Sequence, residues 1–215
     1  MKIAIILSGC GNRDGSELQE TLSLMLAFDR RDWQYKFFAP QGNLNVVSHL
    51  TGEEKGQRDI YEESARIARG DIQPIEAYDA VHFDALALPG GMGAARNLST
   101  YAFDGEAMTV RTDVERAILD TYHSHKPILA MCIAPMVLAR VLGSEGILLT
   151  LGKDCDASRA AVAFGCRHQC CAPTEACVDR QHRIYTTPAY MVGSRISQIF
   201  AGAEALVSAI ENDLR

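Results

Sequence analysis

At 215 residues the chain is long enough to bury a full hydrophobic core, and 47% apolar with 22% charged residues is the balance of a globular protein rather than a disordered one. A formal net charge of −6 argues against a nucleic-acid partner, which needs a basic face. No apolar run approaches the length of a membrane span, so no membrane partner is expected and one domain over 1–215 is.

Lys2 to Leu7 reads as a buried strand, followed by a polar, glycine-rich loop from Ser8 to Gly15. Leu7-Ser8-Gly9-Cys10 has the look of a lipoprotein signal. The apolar stretch Ile3 to Leu7 is too short for one, and the chain is read as intracellular, in the cytoplasm. A helix is expected from Ser16, its candidate cap, with Leu18, Leu22, Met25 and Leu26 at helical spacing. Tyr35 to Phe38 is a second strand. Asn43 to Arg58 is a long, mixed connection, and Ile60 to Arg69 a helix stopped by Gly70. Ala85 to Leu88 is an apolar strand closed by Pro89-Gly90-Gly91-Met92-Gly93, and Arg111 to His123 a helix. The strand Pro127 to Met131 then runs into Cys132 and a helix to about Leu142. Leu148 to Leu151 is a strand, Ala157 to Phe164 a helix, Cys177 to Thr187 strand-rich, and Ile196 to Asn212 the closing helix. Strands alternating with helices predict an α/β sandwich around a mostly parallel sheet.

The seven cysteines, an odd number, argue for reduced thiols rather than a disulfide framework. Cys166-Arg167-His168-Gln169-Cys170-Cys171, with Cys177 and His182 beyond, lacks a closed ligand set. Half-buried strand cysteines are expected there and no metal.

Cys132 stands apart. It ends an apolar run and opens a helical pattern, with small Ala130 and Ala134 on either side and Pro135 where the first helical turn tolerates it. Such spacing suits a strand-to-helix elbow that lifts the central side chain out of the fold. A thiol there feels the positive end of the helix dipole, which favours thiolate.

Chemistry in such folds gathers at the carboxyl ends of strands. Glu17 and Glu20, at i and i+3, share a face at the start of the first helix, where either carboxyl can exchange protons with a thiol or merely complement the dipole. The Gly90-Gly91 turn, with the backbone N–H of Ile133, supplies candidate oxyanion donors. Of the six histidines only His49, in the unusual connection, is held as a reserve candidate for the pocket, alongside Asp154.

These residues resemble the PfpI/ThiJ superfamily and, within it, the ElbB-like branch of isoprenoid-biosynthesis proteins with an amidotransferase-like domain. The likeness is carried by Ser8-Gly9-Cys10-Gly11 with Asp14-Gly15, Phe38-Ala39-Pro40, His49 with Gly52-Glu53, and Glu63 to Gly70. Leu88-Pro89-Gly90-Gly91, Cys132-Ile133-Ala134-Pro135, Thr150 to Asp154 and Thr186 to Met191 complete it over nearly the whole chain. The resemblance implies a flavodoxin-like three-layer sandwich, a homodimer, Cys132 as elbow nucleophile, and Glu20 as the acidic partner with Glu17 second. Gly90, Gly91 and Ile133 match the oxyanion region. Ile133 stands where superfamily proteases carry histidine, and Thr187-Pro188-Ala189-Tyr190 where glutaminases carry a His-x-Glu pair. Peptidase and glutaminase chemistry are therefore not expected.

Two functions follow. The first is a cofactor-free, glyoxalase III-type reaction on a small aldehyde substrate, glyoxal or methylglyoxal, through a Cys132 hemithioacetal. The second is a non-enzymatic redox-sensing or regulatory protein associated with isoprenoid supply.

Overall fold

The structure is a computed structural model that describes residues 1–214. Its elements run β1 (Lys2–Ile6), α1 (Leu18–Asp29), β2 (Gln34–Ala39), β3 (Asn43–Val47), β4 (Glu54–Asp59), α2 (Ile60–Ala68), β5 (Ile72–Pro74) and β6 (Ala85–Leu88). They continue as α3 (Met92–Arg96), α4 (Tyr101–Asp104), α5 (Thr112–His123), β7 (Ile128–Met131), α6 (Pro135–Leu142) and β8 (Leu148–Leu149). The last are α7 (Asp156–Ala163), β9 (Arg167–His168), β10 (Cys177–Asp179), β11 (Ile184–Thr187) and α8 (Ile196–Asp213).

Seven strands form one sheet in the order β10-β11-β7-β6-β1-β2-β5, parallel except for the edge strand β10. Helices flank it, with α1 against α8 and α5 against α6, as in the flavodoxin-like architecture. Strands β6, β7 and β11 are buried along their whole length, which is why they read as unbroken apolar or small runs rather than alternating ones. From β1 the chain builds outward to β2 and β5 on one side. From β6 it builds outward to β7, β11 and β10 on the other. The sheet thus reverses its direction of growth between β1 and β6, and the candidate site lies at the carboxyl ends of these central strands.

Three sequence expectations are corrected. The Asn43–Arg58 connection is a hairpin, β3 against β4, outside the main sheet. Its second strand, Glu-Lys-Gly-Gln-Arg-Asp, is almost wholly exposed and lacks apolar alternation. Ser16 does not cap α1, because its hydroxyl accepts from the Ser8 backbone N–H at 2.9 Å and Glu17 takes the cap position. Leu18, Leu22 and Leu26 face outward, while Glu20, Thr21, Ser23, Leu24, Ala27 and Phe28 are buried. The inward face of α1 is the one that delivers Glu20 to the sheet.

Candidate active site

Cys132 sits between β7 and α6 with φ +58°, a left-handed conformation that stores strain of about 1–3 kcal/mol in a non-glycine residue. Its backbone N–H donates to the Thr187 carbonyl at 3.0 Å, fastening the turn to the end of β11. Only 8% of the residue is exposed. The elbow thus presents one sulfur to a cavity and buries the rest.

Glu20 reaches that sulfur from α1. Its carboxyl is fully buried and hydrogen-bonded to the Cys132 thiol. One carboxyl oxygen, Oε2, accepts from the Gly90 N–H at 3.0 Å, and Oε1 accepts from the Tyr190 N–H at 3.3 Å. Glu17 lies at the mouth. Its side chain caps α1 by accepting the Glu20 N–H at 2.6 Å, and its backbone N–H donates to the Gly90 carbonyl at 2.9 Å. The loops after β1, β6 and β11 meet at these contacts.

Glycines are required where those loops touch. A Cβ on Gly90 would lie 2.4 Å from the Cys132 Cβ and 2.5 Å from Glu20 Oε2. Gly91 adopts φ +96°, and a Cβ there would lie 2.4 Å from the Gly15 carbonyl oxygen.

Electrostatics at the pair run against the sequence expectation of a thiolate. The Gly91 and Ile133 backbone N–H groups both hydrogen-bond to the sulfur and pull its pKa down. Burial, followed by the Glu20 charge, outweighs them and holds the Cys132 thiol well above its ordinary range. Burial, and then the Glu17 charge, raises Glu20 to about 8. Burial also raises Glu17, against the hydrogen bonds it accepts as cap. Burial thus favours the protonated form of both groups, and Glu20, the less raised of the two, gives up its proton first and can then accept that of the thiol.

The donors at the sulfur are thus Gly91 and Ile133. The Gly90 amide is taken by Glu20, so of the two turn glycines only Gly91 aims at the reacting position. The cavity above, about 580 Å³, is lined by Asn12, Glu17, Gln19, Gly91, Met92, Cys132, Ile133, Tyr190 and Met191. Among the described residues, no lysine, arginine or histidine lines it. Asn12, Gln19, Met92 and Met191 were not singled out from the sequence. Tyr190 figures there within the family-like stretch Thr186 to Met191 and as a residue replacing a glutaminase motif. Its hydroxyl donates to Gln19 Oε1, closing one wall.

Neither reserve pocket residue reaches this cavity. His49 lines a separate space of about 250 Å³ with Cys10, Asp14, Arg58 and Glu63. Its Nε2 accepts from the Arg13 N–H and its Nδ1 faces the Val47 carbonyl, so both ring nitrogens are engaged. Asp154 is exposed and paired with Arg159. Among the described residues, no group of three or more His, Cys, Asp or Glu is placed to hold a metal ion.

A mostly parallel sheet flanked by helices, with a cysteine on a strand-to-helix elbow, has the fold of solved DJ-1/ThiJ/PfpI-type structures. A DJ-1 superfamily protein from Salmonella typhimurium shares the fold at 19% identity, with a TM-score of 0.59 over 99% of this chain and 91% of that one. An isoprenoid biosynthesis protein with an amidotransferase-like domain from Ehrlichia chaffeensis matches far more tightly. It is 34% identical, with a TM-score of 0.91 over 99% of both chains. The human glutamine amidotransferase-like class 1 domain-containing protein 3, named mitochondrial, is 36% identical over 96% of this chain and 81% of its own length. The chain belongs to this ElbB-like family of isoprenoid-biosynthesis proteins with an amidotransferase-like domain. No family model matches it.

Proposed function

We propose that the chain is a cofactor-free enzyme that converts methylglyoxal or glyoxal to the corresponding 2-hydroxy acid. The observation that carries this reading is the hydrogen bond between Glu20 and Cys132 in a buried site whose described lining residues include no histidine. Once the pair has lost its first proton, the Cys132 sulfur adds to the aldehyde carbon and the carbonyl becomes an oxyanion. The Ile133 and Gly91 N–H groups stabilise that oxygen, which then takes a proton to give the hemithioacetal. Glu20 removes the proton from C1 and delivers one to C2, converting the adduct to a thioester of the hydroxy acid. Water cleaves the thioester, returning the thiol and releasing lactate or glycolate. The sum is one dicarbonyl plus one water to one hydroxy acid.

The lining supports a neutral substrate, since it offers no cation to a carboxylate or phosphate and sets two carboxyls beside the sulfur. The alternative of Cys132 as a redox-sensing thiol in a regulatory protein is weakened by its raised pKa, because the thiolate is the form that oxidises readily. Loss of methylglyoxal without glutathione, compared between wild type, Cys132→Ser and Glu20→Ala, tests the proposal. Turnover is expected in wild type alone, and retained turnover in Cys132→Ser overturns it.

Two further proposals accompany the function. The resemblance supports a homodimer, which light scattering checks as twice the chain mass. The odd number of cysteines, seven, suits a reducing compartment such as the cytoplasm. The human relative's mitochondrial name shows that the family is not confined there.

A further inference from the structure

Away from the elbow, the cysteine-rich segment that follows β9 builds a second thiol site. Cys170 is exposed, whereas Cys171 is 8% exposed and Cys177, on the edge strand β10, is fully buried. The turn between them is closed by two contacts. The Ala172 N–H donates to Glu175 Oε2 at 2.8 Å, and the Glu175 N–H donates to the Ala172 carbonyl at 3.0 Å. The turn brings the Cys171 and Cys177 thiols within hydrogen-bonding distance of each other.

The Cys171 sulfur is surrounded by donors: the Cys177 S–H, the Thr150 hydroxyl, and the Gln169 side-chain amide at 3.6 Å. Its backbone N–H donates to the Gly152 carbonyl at 2.9 Å. Cys177 lies opposite Thr186, whose hydroxyl accepts from the Thr150 N–H at 2.9 Å, so the pair is set in a fixed frame. His168 and His182, which the sequence placed beside these cysteines, are engaged elsewhere. His168 accepts from the Leu151 N–H, and His182 meets the Tyr122 hydroxyl.

We propose that Cys171 and Cys177 form a redox-active dithiol that a hydroperoxide converts to a disulfide. Donated hydrogen bonds, that of Cys177 first, hold Cys171 below the ordinary thiol range, and the same bond pushes Cys177 up. Of the two only Cys171 has exposed surface, so it is the attacking sulfur and Cys177 the resolving one. The Cys171 thiolate attacks the terminal peroxide oxygen, the O–O bond breaks, and the leaving oxygen takes a proton as alcohol or water. Cys171 is thereby oxidised to a sulfenic acid. The Cys177 sulfur then attacks it, the S–O bond breaks, the S–S bond forms, and hydroxide leaves as water with the Cys177 proton. Two thiols and one hydroperoxide give one disulfide, one alcohol or water, and one further water. The site is independent of the elbow chemistry.

Peptide mapping decides the matter, because tryptic cleavage leaves Cys170, Cys171 and Cys177 together on the peptide from His168 to Arg180. Native wild type and Cys170→Ser are treated with hydrogen peroxide, quenched with catalase, denatured and alkylated. The expected wild-type peptide loses two of its three alkyl groups, and dithiothreitol before alkylation restores them. Cys170→Ser, altered only at an exposed side chain, is expected to lose both of its alkyl groups. Full alkylation after excess peroxide, oxidation stopping at a sulfinic acid, or a bridge that disappears in Cys170→Ser would each overturn the proposal.

Discussion

The carboxyl of Glu20 is hydrogen-bonded to the thiol of Cys132, and burial resists the charged form of both. The reactive species is then the pair with one proton removed. Turnover of methylglyoxal, as kcat/KM, is expected to rise with pH and level off above about 8, the value to which Glu20 is raised. Glu20→Gln is expected to lose about 10²-fold or more and to lose that rise. A pH–rate profile of both proteins checks this, and a flat wild-type profile between pH 6 and about 9 would contradict it.

The same shift makes a stability prediction with a definite sign. Glu20 goes from 4.5 to about 8, so the folded state holds a proton that the unfolded state releases between those values. Its contribution is fully present below 4.5 and is lost as pH rises toward 8. At about 1.4 kcal/mol per unit the effect is on the order of several kcal/mol. Glu20→Gln, which cannot ionise, is expected to gain in Tm relative to wild type between pH 5 and 8. A constant Tm difference across a thermal-unfolding series would refute this.

Strain at the elbow is measurable by substitution. Cys132→Gly is expected to match or exceed Cys132→Ala in stability, because glycine accepts φ +58° freely and alanine does not. In an ordinary position glycine is worse by about 0.5–1 kcal/mol. Urea unfolding of the two variants compares them directly.

Gly90→Ala drives a methyl group between Cys132 and Glu20, where existing atoms lie 2.4 and 2.5 Å away. Activity is expected to fall about 10²-fold through misplacement of the pair, while far-ultraviolet circular dichroism stays near wild type. Wild-type kinetics would mean that the two groups need not touch.

4,5-Dioxopentanoate, a 2-oxoaldehyde that carries its own carboxylate, is expected to turn over at least about tenfold more slowly than methylglyoxal, because no described residue that lines the cavity is a cation. Glu17→Gln should narrow the gap. Competition kinetics with the two substrates gives the ratio.

The stretch from β7 through Cys132 to α6 was legible because a fully buried parallel strand has no polar interruptions and Pro135 marks the helix start. The β3–β4 hairpin was not, since β4 buries nothing that would impose a period. For α1 the helix was legible and its buried side was not, because Leu18, Leu22 and Leu26 outweigh the polar face that carries Glu20. Spacing left Glu17 and Glu20 equal, and only the family likeness ranked them. The thiolate expectation failed because dipole arguments carry no information on burial. Tyr190 and Met191 enter the cavity on a turn after β11, where no sequence period marks a direction.

Glu20 holds the Gly90 amide with one oxygen and the Tyr190 amide with the other, so it fastens loops from two different strands to the first helix. The thiol's tie to the loop after β6, through the Gly91 N–H, duplicates what the contacts of Glu20 and Glu17 with Gly90 already secure. The two halves of the pair are therefore unequal in what their loss removes. Drift that discarded the sulfur would silence the reaction and leave the mouth intact, ready for a ligand. Drift that discarded the carboxyl would open the seam on which the mouth is sewn.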